Sequence, residues 1–388
     1  MTWAILFFWI NSVWGSGEAP ISERHFSQLP DPNTPEIAIL GDSSSTGTLA
    51  DPKVEATRST MFQRIPIYLG SSNLRPQPDL ETYSTPYEFH LKEPLQTPLR
   101  IYVSQAELNM SNEVQKKSID QQSRSARVLE QLEYSWGYLI GRRLNVPGSK
   151  ILFVGNPRAR INYLWNQILR LKEASPTHLP RRIFINYTAN DFCNPDLFQK
   201  PSKDFFDSIE EKLRENLLAL QKHMKPHPFG TTVYLVSPLP VLNALRNPEI
   251  LQKEISMVGG DLTCSEFRQL QQPRFFLRYD IAQEIRASCP VLYKTQPHET
   301  AKINHLHHLV EGMGQSESEV VRQLQTNPQP GFQFVYVPGL TTLSMTAKDV
   351  ANDCLHPSIY AHEKFARHIW KYLQIPSAPL LFDVASGR

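Results

Sequence analysis

The feature that most constrains the fold of this chain is an alternation of short apolar runs with segments of helical periodicity. Five apolar runs are typical of strands covered on both faces of a sheet: 36–41, 150–154, 182–187, 231–236 and 332–337. Helical spacing of apolar residues occupies four other segments: 122–144, 157–173, 204–224 and 357–373. This alternation predicts an α/β fold, a three-layer αβα sandwich around a parallel sheet of about five strands.

Two long stretches, 52–118 and 242–330, interrupt that alternation. The first is rich in Pro, Ser, Thr and Gln, with one possible strand at 99–104, and the second holds two cysteines and mixed helical patterns. Connections this long within a compact domain are usually functional or structured insertions. We therefore expect both insertions to lie beside a functional site and to shape access to it.

Composition excludes several classes of protein. Lys and Arg number 40 against 38 Asp and Glu, a net charge of +2, so we expect no electrostatic nucleic-acid surface. Apolar residues make up 40% of the 388 residues, which is enough for a large core and too many for a disordered chain.

The N-terminus carries an apolar run at residues 3–10, followed by the small residues Gly15, Ser16 and Gly17. This pattern is typical of a signal peptide and is too short to span a bilayer. We expect residues 1–17 to be a signal peptide and the protein to be secreted or periplasmic. An apolar N-terminal strand or a membrane anchor is the alternative.

Four cysteines are present: Cys193, Cys264, Cys289 and Cys354. An even number in an exported chain permits two disulfides but leaves their connectivity open. Their spacing is not that of a zinc site. A Cys264–Cys289 bond would close the second insertion, and this pairing is the one we favour for those two residues.

Gly41, Asp42 and Ser43 end the first predicted strand. Open α/β sheets bind their ligands at the carboxyl ends of the strands, so the Ser43 hydroxyl is a candidate nucleophile. Asp42 is expected to support the turn. Ser and Asp are also frequent helix N-caps, which is the structural alternative.

Asp353 and His356 stand three residues apart before the last predicted helix. The carboxylate can bind one imidazole nitrogen and orient the ring, so that the other nitrogen can take a proton from Ser43. A capped helix start with a surface histidine is the alternative, and Pro357 at the first helical position fits both interpretations.

Two further residues follow predicted strands. The Asn190 amide can donate to a developing oxyanion, with Asp191 bracing its loop, although an Asx turn is the commoner role of such a pair. The backbone N–H of Gly155 can approach a bound oxygen closely, although an ordinary turn glycine is the alternative.

These motifs, taken in order, resemble those of the SGNH (GDSL-type) hydrolases. Gly41-Asp42-Ser43 resembles motif I, Asn190-Asp191 motif III, and Asp353 with His356 motif V. Gly155 is placed in motif II by register, and the alternative register at 103–106 lacks the glycine. Since Ser43 and His356 then belong to one site, residues 34–375 form a single domain with a flavodoxin-like sheet, followed by a tail at 376–388.

The resemblance implies a serine ester hydrolase. Ser43, His356 and Asp353 would be catalytic, and the oxyanion would be bound by Ser43, Gly155 and Asn190, with no metal or organic cofactor. The substrate would be a small-molecule, lipid or glycan ester, with possible peripheral contact with membrane lipid. Alternatives are a carbohydrate O-acyl esterase, an acyltransferase, or an inactive binding protein with this fold.

Cys193 lies two residues after the Asn190-Asp191 pair, and Cys354 lies inside the Asp353–His356 motif. These Asn-Asp-Phe-Cys and Asp-Cys-Leu-His arrangements resemble the phospholipase B-like branch of that family. If Asn190 and His356 flank one site, this resemblance implies that Cys193 and Cys354 are neighbours and form a disulfide. Two buried free thiols are the alternative.

Overall fold

A computed structural model describes thirteen parts of the chain: 34–45, 47, 55–58, 65–68, 134–155, 159–187, 190–193, 201–257, 260–269, 289, 291–292, 295–351 and 353–373. The expected signal peptide 1–17, the possible strand 99–104, the alternative motif II at 103–106 and the tail 376–388 lie outside these residues.

The strands of the described residues are β1 (Ile37–Gly41), β2 (Glu55–Arg58), β3 (Ile65–Tyr68), β4 (Ile151–Phe153), β5 (Arg182–Asn186), β6 (Thr231–Val236), β7 (Glu254–Met257), β8 (Gly260–Thr263) and β9 (Phe332–Val337). The α-helices are α1 (Trp136–Arg143), α2 (Leu164–Ala174), α3 (Ser202–His223), α4 (Asn243–Arg246), α5 (Pro248–Leu251), α6 (Cys264–Gln269), α7 (Thr300–Thr326) and α8 (Ile359–Leu373). Short 3-10 helices lie at Gly148–Lys150, Ile161–Tyr163, Asn190–Cys193 and Ala347–Asp349.

The central sheet has five strands in the order β4-β1-β5-β6-β9, and every neighbouring pair is parallel. This is the flavodoxin-like order, in which the chain reverses direction across the sheet after β4. The predicted α/β sandwich is therefore confirmed. Residues 37–40 are fully buried, which explains why an unbroken apolar run, rather than an alternating one, marked this strand.

Two groups of helices cover the sheet. Helix α1 packs against α8, whereas α3 packs against both α2 and α7. Right-handed crossovers on either side of the strand reversal place these groups on opposite faces. The apolar stripe of α3, which includes Ile209, Leu213 and Leu217, is buried against the core. None of the helices in the described ranges is both long and apolar enough to cross a membrane.

The long helix α7 lies within the predicted insertion 242–330. It packs against α3 and β9 and is the crossover helix that leads from β6 to β9. The remaining described residues of that insertion form the small elements α4 to α6 and the antiparallel pair β7–β8. His305, His307 and His308 belong to α7, where His308 is exposed.

The helix predicted at 122–144 is described only from its later part, where α1 spans Trp136–Arg143. Ser135 caps it, since its hydroxyl accepts a hydrogen bond from the Tyr138 N–H at 3.2 Å. Residues 122–133 lie outside the described part of the chain.

Candidate active site

The turn after β1 presents Ser43 at the carboxyl edge of the sheet. The Ser45 N–H donates to the Asp42 carbonyl at 3.1 Å, and the Asp42 carboxylate accepts from the Ser44 N–H at 2.9 Å and from the Ser44 hydroxyl. Asp42 is fully buried, so its carboxylate is held by the turn it closes. Ser43 therefore follows β1 on a turn with fixed geometry.

The side chains of Ser43, His356 and Asp353 form one connected chain of hydrogen bonds. His356 Nε2 lies 2.9 Å from Ser43 Oγ, and His356 Nδ1 contacts the Asp353 carboxylate. The second carboxylate oxygen of Asp353 accepts from the backbone N–H groups of His356 at 2.9 Å and Leu355 at 3.1 Å. With Nδ1–H donated to Asp353, Nε2 accepts the Ser43 hydroxyl proton, which is the geometry of a Ser-His-Asp triad.

Burial and charge set the protonation of this pair. Burial lowers the pKa of His356, but the Asp353 carboxylate, its hydrogen bond and the charge of Asp42 outweigh burial and raise that pKa above 6.5. Burial raises the pKa of Asp353, but His356 and the two backbone donors outweigh it and lower that pKa below 3.8. Asp353 is therefore ionised at neutral pH, and it stabilises positive charge on the imidazole.

A second histidine, His362, lies on α8 near His356. It is fully buried, and its Nδ1 accepts a hydrogen bond from the Trp136 N–H at 3.3 Å. Burial, together with the nearby His356, lowers the pKa of His362 to about 3. His362 is therefore neutral at neutral pH and joins α8 to the start of α1.

Asn190 and Asp191 lie on the 3-10 turn after β5. The Asn190 amide donates to the Ala159 carbonyl at 3.1 Å, a contact that uses one of its two N–H bonds. Both carboxylate oxygens of Asp191 accept from the Ile161 N–H, at 3.2 and 3.1 Å. Burial, reinforced by Asp42, raises the pKa of Asp191 to about 7. Asp191 therefore ties the Asn190 turn to the segment that follows β4.

Gly155 follows β4, but its N–H is used inside the sheet. It donates to the Ile39 carbonyl at 3.1 Å, and the neighbouring Val154 N–H shares the same acceptor at 2.9 Å. The sequence analysis placed this N–H in the oxyanion hole, whereas the structure extends the β1–β4 ladder with it. Binding an oxyanion through Gly155 requires this hydrogen bond to open.

Two polar residues that the sequence analysis did not single out fix the same edge of the sheet. The buried Gln167 of α2 forms a reciprocal pair with the Gly41 backbone, since it accepts from the Gly41 N–H and donates to the Gly41 carbonyl, both at 2.8 Å. The amide of Asn186, at the end of β5, donates to the carbonyls of Val236 and Ser237 at 3.1 Å. In the sequence, these two residues could have been found as polar residues on an otherwise apolar helix face or strand.

Gly41 occupies a position that excludes any side chain. Its φ is +141°, and a Cβ added there would lie 2.0 Å from the Asn186 carbonyl oxygen. We expect Gly41→Ala to lower the free energy of unfolding by about 3 kcal/mol or more, from backbone strain plus overlap. Urea denaturation measures this loss.

Gly230→Ala is the matched control, because Gly230 also has a positive φ, of 86°, in the turn before β6. Gly230→Ala places a side chain on a residue with a positive φ but produces no overlap with Asn186. The decrease in its free energy of unfolding should therefore be smaller than that of Gly41→Ala. Equal losses for the two variants would contradict the steric argument.

The disulfides differ from the favoured pairings Cys264–Cys289 and Cys193–Cys354. The bonds are Cys193–Cys289 and Cys264–Cys354. Neither bond closes the second insertion on itself, because each joins one cysteine of that insertion to a loop of the candidate site. Cys193 ends the Asn190 turn and Cys354 stands between Asp353 and His356, so both loops are tied covalently to the insertion.

The residues of the candidate site lie within a span that matches a known protein family. A family model described as GDSL-like lipase/acylhydrolase matches residues 37–369, a span that includes Ser43, Asn190 and the Asp353–His356 pair. The chain belongs to the GDSL-like lipase/acylhydrolase family. It is therefore an enzyme of the class that hydrolyses ester bonds, and small-molecule esters are its class of substrate.

Comparison with individual proteins adds little to that assignment. No match was found among the curated proteins. The chain is similar to a solved structure from Streptococcus pneumonia whose description refers to platelet activating factor, with 15% sequence identity and a TM-score of 0.31, over 58% of this chain and 74% of that one. The family assignment therefore rests on the match to residues 37–369.

Proposed function

We propose that this GDSL-like hydrolase is a serine esterase that works through an acyl-enzyme. Ser43 is the nucleophile, His356 the general base and then acid, and Asp353 the group that orients the imidazole. The observation that carries the proposal is the 2.9 Å contact of His356 Nε2 with Ser43 Oγ, on a ring whose Nδ1 binds the buried Asp353.

The steps follow from this arrangement. As Ser43 Oγ attacks the ester carbonyl carbon, its proton passes to His356 Nε2, and the imidazolium that forms is stabilised by ionised Asp353. His356 then gives that proton to the leaving alcohol, which leaves the acyl group on Ser43. Water attacks the acyl-enzyme with the same base, and the acid product and free Ser43 are released.

The developing oxyanion needs donors beside Ser43. Asn190 supports this role because it follows β5, the strand next to β1, and because its amide is held by one contact with Ala159. We assign the oxyanion hole to the Ser43 N–H and the Asn190 amide. Gly155 joins them when its bond to Ile39 opens. A single donor of this kind typically contributes about 10²–10³-fold in turnover.

The substrate and compartment form the finer part of the proposal. Two disulfides support an oxidising compartment, so we propose a secreted or periplasmic enzyme. The resemblance of the Asn-Asp-Phe-Cys and Asp-Cys-Leu-His segments to the phospholipase B-like branch favours a lipid ester, such as a lysophospholipid or phospholipid, over an acetylated sugar. Peripheral contact with membrane lipid belongs to this proposal.

A pH profile on a short p-nitrophenyl ester tests the chemistry. Only neutral His356 accepts the Ser43 proton, so activity is present at high pH and is lost as pH falls through the pKa of His356. Because that pKa is raised, we expect the acid limb of kcat/KM to have a midpoint above 6.5. A rate that does not fall between about pH 8 and about pH 5 would contradict His356 as the base.

A substrate panel tests the proposed class. Lysophosphatidylcholine and an acetylated xylan are compared at equal ester concentration, with Ser43→Ala as the blank for each. Faster release of fatty acid than of acetate supports a lipid esterase, and the reverse order would replace it with a carbohydrate esterase.

A further inference from the structure

The second insertion holds the backbone of the Asp353–His356 loop through a buried arginine. Arg268 is only 2% exposed. Its Nη2 donates to the Cys354 carbonyl at 2.9 Å, and its Nη1 donates to the Leu292 carbonyl at 3.1 Å. One guanidinium therefore joins the insertion to the residue that follows Asp353.

The loop that Arg268 holds has an unusual backbone. Cys354 is a non-glycine residue with φ of 62°, a left-handed conformation that persists only where surrounding contacts impose it. The loop is closed by two further bonds, from the Cys354 N–H to the Ala351 carbonyl at 3.1 Å and from the Ala351 N–H to the His356 carbonyl at 2.7 Å. The conformation of Cys354 thus sets how Asp353 faces His356.

Two other groups of the insertion converge on the same loop. Cys264, one turn before Arg268 on α6, forms the disulfide with Cys354. Lys253 donates from Nζ to the carbonyls of Val350 and Ala351, the latter at 3.4 Å. Three residues of the insertion therefore hold the loop ahead of His356, Lys253 at Val350 and Ala351, and Cys264 and Arg268 at Cys354.

We propose that Arg268 is a positioning residue for the Asp353–His356 pair, an inference that rests on the proposed esterase function. By holding the Cys354 carbonyl, its guanidinium keeps the left-handed turn in the one conformation that directs Asp353 to His356 Nδ1. The second insertion then positions the Asp353–His356 pair, in addition to any role in substrate access.

The charges that face this pair are known from the structure. Asp353 and Asp42 raise the pKa of His356. His362, whose pKa is lowered to about 3, is neutral at neutral pH. The charge of Asp353 also acts on Lys253 and raises the pKa of that ammonium group, against the larger effect of burial. Arg268 itself binds carbonyl groups, so it acts on His356 through the geometry of the loop. Loosening that geometry weakens the Asp353–His356 contact and lowers the pKa of His356.

The test compares Arg268→Met and Arg268→Lys with the wild type on a short p-nitrophenyl ester. Rates are expressed per active site, counted by fluorophosphonate titration. We expect Arg268→Met to lower kcat by about 10- to 100-fold with KM changed less than about 2-fold, and to shift the acid limb to lower pH. Arg268→Lys keeps one donor and the charge, so both effects should be intermediate.

Arg246→Met is the matched control, since exposed Arg246 of the same insertion contacts Asn304 and should leave kcat and the acid limb unchanged. A merely structural role for Arg268 would reduce the number of titrated sites and the Tm only. Wild-type kcat per site and an unmoved acid limb in Arg268→Lys would therefore overturn the inference, even if Arg268→Met fails to fold. A wild type that neither hydrolyses the ester nor titrates would instead overturn the proposed function.

Discussion

Replacing Ser43 by Ala should lower kcat/KM for a short p-nitrophenyl ester by about 10⁴-fold or more, because no other group takes over the covalent step. The variant removes the oxygen that lies 2.9 Å from His356 Nε2 and leaves Asp353 and the oxyanion donors in place. Activity is measured against the uncatalysed rate, and the far-ultraviolet circular dichroism spectrum and Tm show whether the fold is kept.

Ser45→Ala is the matched control for this variant. Ser45 lies in the same turn, and its hydroxyl donates to the Asn186 carbonyl at 3.2 Å, away from His356. We expect Ser45→Ala to lose stability on the order of 1 kcal/mol and to keep kcat within about 10-fold of wild type. If Ser43→Ala retains activity, or if both variants lose it equally, Ser43 is not the nucleophile.

Asp353→Asn should lower kcat by about 10⁴-fold, the size of effect seen when a triad carboxylate becomes an amide and the imidazole adopts the wrong tautomer. The amide oxygen can still accept hydrogen bonds from the backbone N–H groups of Leu355 and His356, so the loop keeps these contacts. Because Asp353 is the main group that raises the pKa of His356, the acid limb of the residual activity should move to lower pH. Both quantities come from one pH profile.

Asp349→Asn controls for the loss of a buried carboxylate near this loop. Asp349 is buried, contacts Lys364 and closes a capping box with Thr346. Its replacement should lower Tm while leaving kcat and the acid limb near those of wild type. An Asp353→Asn variant with an unmoved acid limb would contradict direct pairing of Asp353 with His356.

The fold could be predicted from the sequence because the sheet is covered on both faces. Burial of both faces makes most of the strands short, unbroken apolar runs. The observed strand Ile37–Gly41 lies within the predicted 36–41, and Thr231–Val236 matches the predicted 231–236. Helix α7 was assigned to an insertion, because a long and irregular segment separates it from β6 and obscures the strand–helix alternation.

The candidate site could be predicted where it depends on local sequence. Asp353 and His356 lie three residues apart, so their spacing indicated that these two side chains could meet. Ser43 follows shortly after a strand, and this position indicated that it lies at the ligand-binding edge of the sheet. The disulfide pairing could not be predicted, because it depends on how α6 of the insertion docks against Cys354 rather than on separation along the chain. The contacts of Arg268 and Lys253 with that loop depend on the same docking.

The hydrogen-bond acceptor of the Gly155 N–H also depends on how distant parts of the chain pack, so the sequence did not predict it. A glycine after a strand indicates close backbone approach, but the identity of its acceptor depends on strand register. In the structure β4 pairs with β1 so that Ile39 lies opposite Phe153, and this register delivers the Gly155 N–H to the Ile39 carbonyl. The proposed oxyanion hole consequently depends more on Asn190 than the sequence suggested.

Labelling with a fluorophosphonate probe tests the central claim most directly, because the probe reacts much faster with an activated serine hydroxyl than with an ordinary one. The wild-type protein is incubated with the probe near pH 8, digested, and mapped by mass spectrometry beside Ser43→Ala and Ser45→Ala. We predict one modified residue, Ser43, in the wild type and in Ser45→Ala, and no modification in Ser43→Ala. Labelling at another serine, or an unlabelled and inactive wild type, would contradict the assignment of Ser43, His356 and Asp353 as a catalytic triad.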